Sequence, residues 1–362
     1  MKKWKIGVVG IRRGGTYARV FHGRERSDIT AICDLSEQNL ADAAEELGLP
    51  DSACYTSYDD FLNTDIDAVV VATPIPFHEE QVVKALKAGK HVLSEVTMAH
   101  TAEGCCHILE AARNARTRYM LAENYIYLDF INQWKQYVDA GKIGRVHYAE
   151  AEYVHDIRDR LYDTGTRKGE TYWRTYRPPI HYCTHCLGPI MYLIGPDDYI
   201  VRTTAWGNKN TIVPDLWPST IDMQVALFET KEGRIIKILR SQVTPRSPHI
   251  VTYQLFGTEG YLETGRDPGY DTVGSRFFAR DDKLAVPMNC NGTKLDTSLD
   301  IKKAGGHGTS DYYGGQAFLD YIEFGKEPFT TAEQAFRLTM PGIIAHEAAV
   351  EGHVWKDIPE LP

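Results

Sequence analysis

The chain has 362 residues, a formal net charge of −9, 43% hydrophobic residues and 25% charged residues. This length suggests two domains, and the composition is that of a soluble globular protein able to bury sizeable cores. The acidic balance argues against general nucleic-acid binding, which needs a basic face, and no apolar run approaches the length of a membrane span.

The amino terminus, Met1-Lys2-Lys3-Trp4-Lys5, leads straight into a strand with no signal-peptide pattern. From residue 5 to 121 short apolar strands alternate with helical patterns. The strands are Ile6-Gly7-Val8-Val9, Ile29-Thr30-Ala31-Ile32-Cys33, Ala68 to Val71, and Val92-Leu93. Ser36–Leu47 and Glu79–Ala88 carry apolar residues at helical spacing. Such alternation implies βαβ units and a parallel sheet. After Asn124 the pattern changes. A helix is expected over Ile126–Ala140, and then come period-two runs at Val146–Val154, Asp222–Phe228, Arg234–Leu239 and His249–Phe256. Gly257-Thr258-Glu259-Gly260 turns the last into Tyr261-Leu262-Glu263. Alternation of this kind means a half-buried antiparallel sheet. The last long helix is expected from Ala332 to about His353, capped by a threonine of Thr330-Thr331. The expected domains are 1–122, a Rossmann domain, and 123–362, an α/β domain with an open, mostly antiparallel sheet.

Gly7-Val8-Val9-Gly10-Ile11-Arg12-Arg13-Gly14-Gly15 lies between the first strand and the first helix. A dinucleotide site needs a tight turn, close backbone approach to the pyrophosphate and close helix packing, usually written G-x-G-x-x-G. Gly10 and Gly15 take the first and third positions, and Arg12 takes the second. The Arg12 side chain must therefore point away from the cofactor or grip a phosphate, and Arg13 beside it is a further cofactor-binding candidate. Asp34 ends the second strand about twenty residues on, where an acid hydrogen-bonds the adenosine ribose. A carboxylate there repels a 2′-phosphate, so the expected cofactor is NAD.

Oxidising an alcohol carbon leaves a hydroxyl proton for a base. The candidates cluster in Trp173-Arg174-Thr175-Tyr176-Arg177-Pro178-Pro179-Ile180-His181-Tyr182-Cys183-Thr184-His185-Cys186-Leu187-Gly188-Pro189. On one helix, His181 and His185 share a face, as do Tyr182 and His185. Gly188-Pro189 is expected to end or kink that helix. His185, Tyr182 and His181 are the catalytic candidates, with a structural histidine or a second hydrogen-bonding layer as the alternative. Trp173, Arg174 and Arg177 are candidates for binding substrate hydroxyls or an acidic group, or are a solvated loop, and Tyr125 is a further pocket candidate. His181, Cys183, His185 and Cys186 resemble a ligand cluster, but four ligands in six residues do not converge from one helix, so no metal is expected. The seven cysteines, Cys33, Cys54, Cys105, Cys106, Cys183, Cys186 and Cys290, are odd in number and irregular in spacing. That fits reduced thiols in a cytoplasm better than a disulfide framework.

Two segments carry a family likeness. Residues 72–96, ATPIPFHEEQVVKALKAGKHVLSEV, resemble the glucose–fructose oxidoreductase / inositol dehydrogenase (Gfo/Idh/MocA) family of nicotinamide-dependent sugar enzymes. In that family the strand closed here by Glu95 ends Glu-Lys-Pro, and the lysine helps move the substrate proton. Here Val96 and Thr97 stand in the last two positions, and a valine moves no proton. The family's Asp-x-x-x-His also has a counterpart, with His185 as the histidine and His181 in place of the aspartate. The resemblance implies that Thr73, Pro74, His78 and Glu95 line the cofactor groove; for His78 a solvent-exposed helix start is the alternative. It also implies NAD over the carboxyl ends of the parallel strands, substrate between the domains, and a homodimer or homotetramer. Tyr182, Thr184, His185, Leu187, Gly188 and Pro189 match in order a branch of NAD-dependent α-N-acetylgalactosaminidases that also lacks the lysine. Gly306-His307-Gly308 before Asp311-Tyr312 echoes it, which adds His307 to the substrate candidates.

Three readings follow: an NAD-dependent oxidoreductase acting on a sugar or glycoside ring carbon; a redox glycosidase that oxidises, eliminates, adds water and re-reduces; and a non-catalytic NAD sensor, which Val96 and Arg12 permit. The aromatic and histidine-rich segment 172–185 favours a working pocket over the third.

Overall fold

The computed structural model describes residues 2–157, 177–209, 221–246, 249–266, 274–281, 288–289, 307 and 309–362. The chain divides into two compact units, Met1–Asn124 with Asp296–Phe336, and Tyr125–Leu295 with Arg337–Pro362. The expected boundary at 122 did not anticipate the return of 296–336 to the first unit.

In the first unit the order is β1 (Trp4–Val9), α1 (Ile11–Phe21), β2 (Ser27–Cys33), α2 (Glu37–Leu47), β3 (Cys54–Tyr55), α3 (Tyr58–Leu62), β4 (Ala68–Val71), α4 (His78–Lys87), β5 (His91–Ser94), α5 (Ala102–Asn114) and β6 (Tyr119–Leu121). The strands form one six-stranded sheet in the order β3-β2-β1-β4-β5-β6, every pairing parallel. Ala68, Val69, Val70 and Val71 are all fully buried, as a central parallel strand covered on both faces requires. Ser36 accepts a hydrogen bond from the Asn39 amide and so starts α2. The helix Ser310–Phe324 also belongs here and packs on α1. Its Gly315 permits the close approach, since a Cβ there would lie 2.7 Å from Val20 Cγ1. Thr331 accepts from the Gln334 amide, and the last long helix runs over Ala332–Val350.

The second unit contains α6 (Asp129–Asp139), β7 (Val146–Val154), α7 (Thr184–Ile194), β8 (Ile200–Lys209), β9 (Ile221–Thr230), β10 (Ile235–Ser241), β11 (Ile250–Gly257), β12 (Gly260–Thr264), β13 (Ser275–Ala279), β14 (Met288–Asn289) and β15 (Lys356–Asp357). Its described strands form a nine-stranded sheet, β14-β13-β12-β11-β7-β10-β9-β8-β15. Only β7 and β10 pair in parallel; the other neighbours are antiparallel. Alternation settles which residues face the core. Ala149, Ala151 and Tyr153 of β7, Ala226 and Phe228 of β9, and Ile236 and Ile238 of β10 are buried. α7 packs on β7 and β11, and α6 packs on α7. The Trp134 indole donates to Ser275 Oγ at 2.6 Å and ties α6 to β13.

The α7 region departs from the expected single helix. Pro179–Tyr182 forms a 3₁₀ turn carrying His181, and the α-helix begins only at Thr184. Nor does Gly188-Pro189 end it, because α7 continues through Pro189 to Ile194. Among the described residues no helix is long and apolar enough to cross a membrane.

Candidate functional site

At the carboxyl end of β1 the chain turns through Gly10, whose φ of 83° is left-handed. A Cβ there would lie 2.7 Å from the Ala72 carbonyl carbon and the Thr73 nitrogen, so only glycine fits the turn. The close helix–strand contact falls on Gly14, where a Cβ would lie 2.5 Å from Val8 Cγ1. At Gly15, expected to play that part, a Cβ would meet nothing nearer than Arg19 Nη1 at 3.9 Å. The first turn of α1 contains no acid, so its amino-terminal amides and dipole suit an anion.

Asp34 lies at the end of β2 and is already oriented. Its Oδ2 accepts from the Ile11 amide at 2.8 Å. Its Oδ1 accepts from the Ser36 amide at 2.9 Å and from Asn39 Nδ2 at 3.2 Å. A carboxylate has about four acceptor positions, which leaves room for a ribose hydroxyl. The left-handed turn, the acid-free helix start and the fixed Asp34 fit a bound dinucleotide. Gly10 and Asp34 would hold it, and Arg12 is exposed beside them.

Arg13 does something different. Its Nη2 lies 2.6 Å from Glu95 Oε1 and 3.2 Å from Asp311 Oδ1. Burial works against its charge, but the two carboxylates more than offset this and hold its pKa well above the ordinary value. Asp311 is fully buried and also accepts from Asn124 Nδ2 at 2.8 Å and from the His307 amide at 3.2 Å. The His307 ring completes the set, with Nδ1 3.2 Å from Asp311 Oδ2. Burial alone pushes the Asp311 carboxyl up; the His307 hydrogen bond and the Arg13 charge overcome it and hold the group well below the usual carboxylate range. Tyr17 lies under the Arg13 guanidinium at 5.1 Å, and burial keeps its phenol neutral.

Glu95 and Val96 follow Ser94, the last residue of β5, and the Val96–Thr97 peptide is cis. His78 is buried, unlike the solvent-exposed helix start weighed from the sequence. Its Nδ1 faces the Thr97 carbonyl and its Nε2 the Thr73 carbonyl, both at 2.8 Å. It therefore ties the end of β4 to the end of β5. Burial lowers its pKa, and the two carbonyls oppose that. Thr73 Oγ1 donates to Gln81 Oε1 at 2.6 Å, and Pro74 follows at the start of the 3₁₀ turn Ile75–Phe77.

In the second unit the rings gather around His185. Its imidazole stacks on Tyr125 at 4.0 Å and 10°. Tyr182 meets it edge-on at 5.1 Å, and Tyr153 tilts against it at 5.9 Å. The Arg240 guanidinium lies 4.0 Å over Tyr153, and that of Arg177 lies 4.3 Å over Tyr182. Both arginines are fully buried. The Tyr153 hydroxyl pairs with His155 Nδ1 at 3.2 Å, and His155 packs on His249 at 4.7 Å. The Tyr253 hydroxyl donates to the His185 carbonyl. His181 turns elsewhere: its ring meets His346 edge-on at 5.4 Å, and burial lowers the His346 pKa. His181 and His185 thus face different neighbours rather than one shared helix face.

Trp173 and Arg174 lie outside the described residues, as do Gly306, Gly308 and Cys290. The other six cysteines are free thiols. Among the described residues no group of three or more histidine, cysteine or carboxylate side chains is arranged to hold a metal ion. Sequence reasoning did not single out Tyr153, Arg240, Tyr253 or Asn124 as neighbours of these candidates, and it named Asp311 only as following His307. For Arg240 a signal existed, since it shares the inward parity of Ile236 and Ile238.

Residues 4–123 match the model of the GFO_IDH_MocA family, an oxidoreductase family with an NAD-binding Rossmann fold. A glycosyl hydrolase family 109 protein of Shewanella pealeana is 27% identical over 351 residues, which covers 85% of this chain and 74% of that protein. An alpha-N-acetylgalactosaminidase of Shewanella oneidensis is 29% identical over 291 residues, 72% of this chain and 62% of that protein. The chain therefore spans less than two thirds of the length of that relative. Among solved structures, levoglucosan dehydrogenase in complex with NADH and levoglucosan superposes with a TM-score of 0.82 at 18% identity, over 99% of this chain and 100% of that one. An inositol dehydrogenase homolog from Azotobacter vinelandii, complexed with NADH and myo-inositol, gives 0.77 at 19% identity over 98% of both chains. These two establish the fold: a Rossmann domain followed by a mostly antiparallel α/β domain.

Proposed function

We propose that this chain, whose residues 4–123 match the model of the GFO_IDH_MocA oxidoreductase family with its NAD-binding Rossmann fold, moves a hydride between NAD and a ring carbon of a sugar or glycoside. Bound NAD supplies a hydride acceptor and donor, and the rest of the chemistry is proton handling by this chain. His185 takes the hydroxyl proton of the substrate. The observation that carries this reading is its setting: a buried imidazole held flat on Tyr125, edged by Tyr182, within Tyr182-Cys183-Thr184-His185. A base held in one orientation needs no reorganisation when the proton moves. Tyr182 is the partner acid or a substrate hydrogen-bond donor. Arg177, buried over the Tyr182 ring, orients that tyrosine. Trp173 and Arg174 remain proposed substrate contacts. His181 supports the turn from beside His346, and His307 acts on Asp311.

A second reading is favoured by a specific observation. Val96 stands where the family lysine would be, and relatives matching most of this chain bear the names glycosyl hydrolase family 109 and alpha-N-acetylgalactosaminidase. In that route the oxidised ring carbon acidifies its neighbouring C–H, a base removes that proton, the aglycone leaves, water adds and the ketone is reduced again. Tyr182 and His185 are then the base and acid.

A homo-oligomer in the cytoplasm is part of the proposal. The outer face of the second sheet supports association, since Trp206 and Met223 are exposed on adjacent strands beside half-buried Val225 and Leu227.

The test uses the purified protein with chromogenic α- and β-glycosides and no added cofactor. Chromophore release over many turnovers selects the redox glycosidase. No release, with NADH appearing when free sugars and NAD are supplied, selects the dehydrogenase. Neither signal across both panels, with NAD bound, overturns both readings in favour of a non-catalytic NAD-binding protein.

A further inference from the structure

We propose that Tyr253 is a positioning residue for His185, its hydroxyl standing in for the backbone donor that Pro189 removes from α7. In an α-helix the carbonyl of residue i accepts from the amide of residue i+4. For His185 that residue is Pro189, which has no N–H, yet α7 runs unbroken from Thr184 to Ile194. The Tyr253 hydroxyl donates to this very carbonyl. The donor comes from β11 of the same unit, and its own position is fixed. Tyr253 is buried, sits opposite Ala151 in the β7 ladder, and tilts against Phe130 of α6 at 6.0 Å.

The two contacts divide the work. Tyr125 holds the face of the imidazole, and Tyr253 holds the backbone from which the imidazole springs. An ordinary helical amide at 189 would tie His185 to its own helix; the tyrosine ties it to the sheet, which also carries Tyr153 and Arg240. The ring is thereby set against the sheet's inward side chains rather than left to follow the helix axis.

This inference rests on the proposed role of His185, so the experiment reads position and turnover separately. Histidine-labelled protein gives a ring resonance for His185, assigned by its loss in His185→Asn and displaced by the face of Tyr125. Tyr253→Phe is expected to shift that resonance, lower kcat/KM about tenfold and move its pH profile. Pro189→Ala in the Tyr253→Phe background restores an amide at the missing place, and both readouts are expected to return toward the parent. An unchanged resonance and unchanged kcat/KM in Tyr253→Phe overturn the proposal, as does a double variant no better than the single one. If Tyr253→Phe alone fails to fold, the double variant decides: a folded double variant supports the substitution of donors, and an unfolded one overturns it. If the resonance shifts and is restored while turnover ignores His185→Asn, the catalytic role of His185 fails and the positioning by Tyr253 stands.

Discussion

The cluster around Arg13 in the first unit and the cluster around His185 in the second hold buried polar side chains by opposite means. In the first, Arg13 is paired with Glu95 and Asp311, and Asn124 and His307 close the set. In the second, His185 is held by tyrosine rings, and the arginines lie over Tyr153 and Tyr182. A buried ion pair costs desolvation on both sides, so losing one partner strands a charge. Ring packing strands nothing when one polar atom is lost, but it fixes angles. Damage to the first cluster is therefore read as stability and pH dependence, and damage to the second as geometry and rate.

The largest expected effect tests the second cluster. His185→Ala should lower turnover by about 10³-fold, the middle of the range for one acid–base group, while NAD affinity followed by fluorescence titration stays unchanged. Retained turnover would remove His185 from the mechanism and leave the ring cluster structural.

Next comes the ion-paired side. Asp311→Asn should cost about 3 kcal/mol at neutral pH, as expected for breaking a buried pair, measured by urea unfolding. The sign with pH is fixed by its depressed carboxyl. Its contribution is complete above the unfolded value of about 4 and is lost as pH falls through the lower folded value. The variant and the parent should therefore converge in acid; a gap that persists at low pH would mean that shape rather than charge holds Asp311 in place.

A smaller contrast sits within the glycine turn. Gly14→Ala must push a Cβ against Val8 Cγ1 and should destabilise by about 1–3 kcal/mol. Gly15→Ala makes only an ordinary contact with Arg19 Nη1 and should be neutral or stabilising by up to about 1 kcal/mol. Thermal melts of the two variants, compared with each other, decide which glycine makes the close packing. The smallest effect is Tyr125→Phe, which keeps the stacked face and removes one buried hydroxyl, and it should cost about 1 kcal/mol. A large drop in its melt would show that the Tyr125 hydroxyl, not its face, holds the cluster.

Legibility in the sequence followed periodicity. Val146–Val154 reads as a strand and is β7 residue for residue, because one apolar face and one wet face leave a period of two. Ser36 before an apolar helical pattern marks the start of α2 for a local, physical reason. The helix Ser310–Phe324 was not legible, because Gly314-Gly315 reads as a break when no neighbour is known; the neighbour is α1, which needs the missing Cβ. Gly188-Pro189 misled in the same way, since the donor that lets the helix continue comes from another strand. His185, Tyr182 and Tyr125 stood out by type and motif, and the structure brings all three together. His181, singled out with them, faces His346 instead. Tyr153 and Tyr253 look like ordinary strand residues until the register of β7 and β11 puts them on one face.

The first unit closes with residues made late. Its parallel sheet is complete at Leu121, but Asp311, which binds Arg13 and Asn124, lies nearly two hundred positions further on. During synthesis the sheet can assemble early, and Arg13 can pair with Glu95, while that pair and Asn124 wait for Asp311 until the second unit has almost left the ribosome. Readiness at the strand ends thus becomes a property of the finished polypeptide, and a fragment cut after residue 124 would carry the Rossmann sheet with that centre left open.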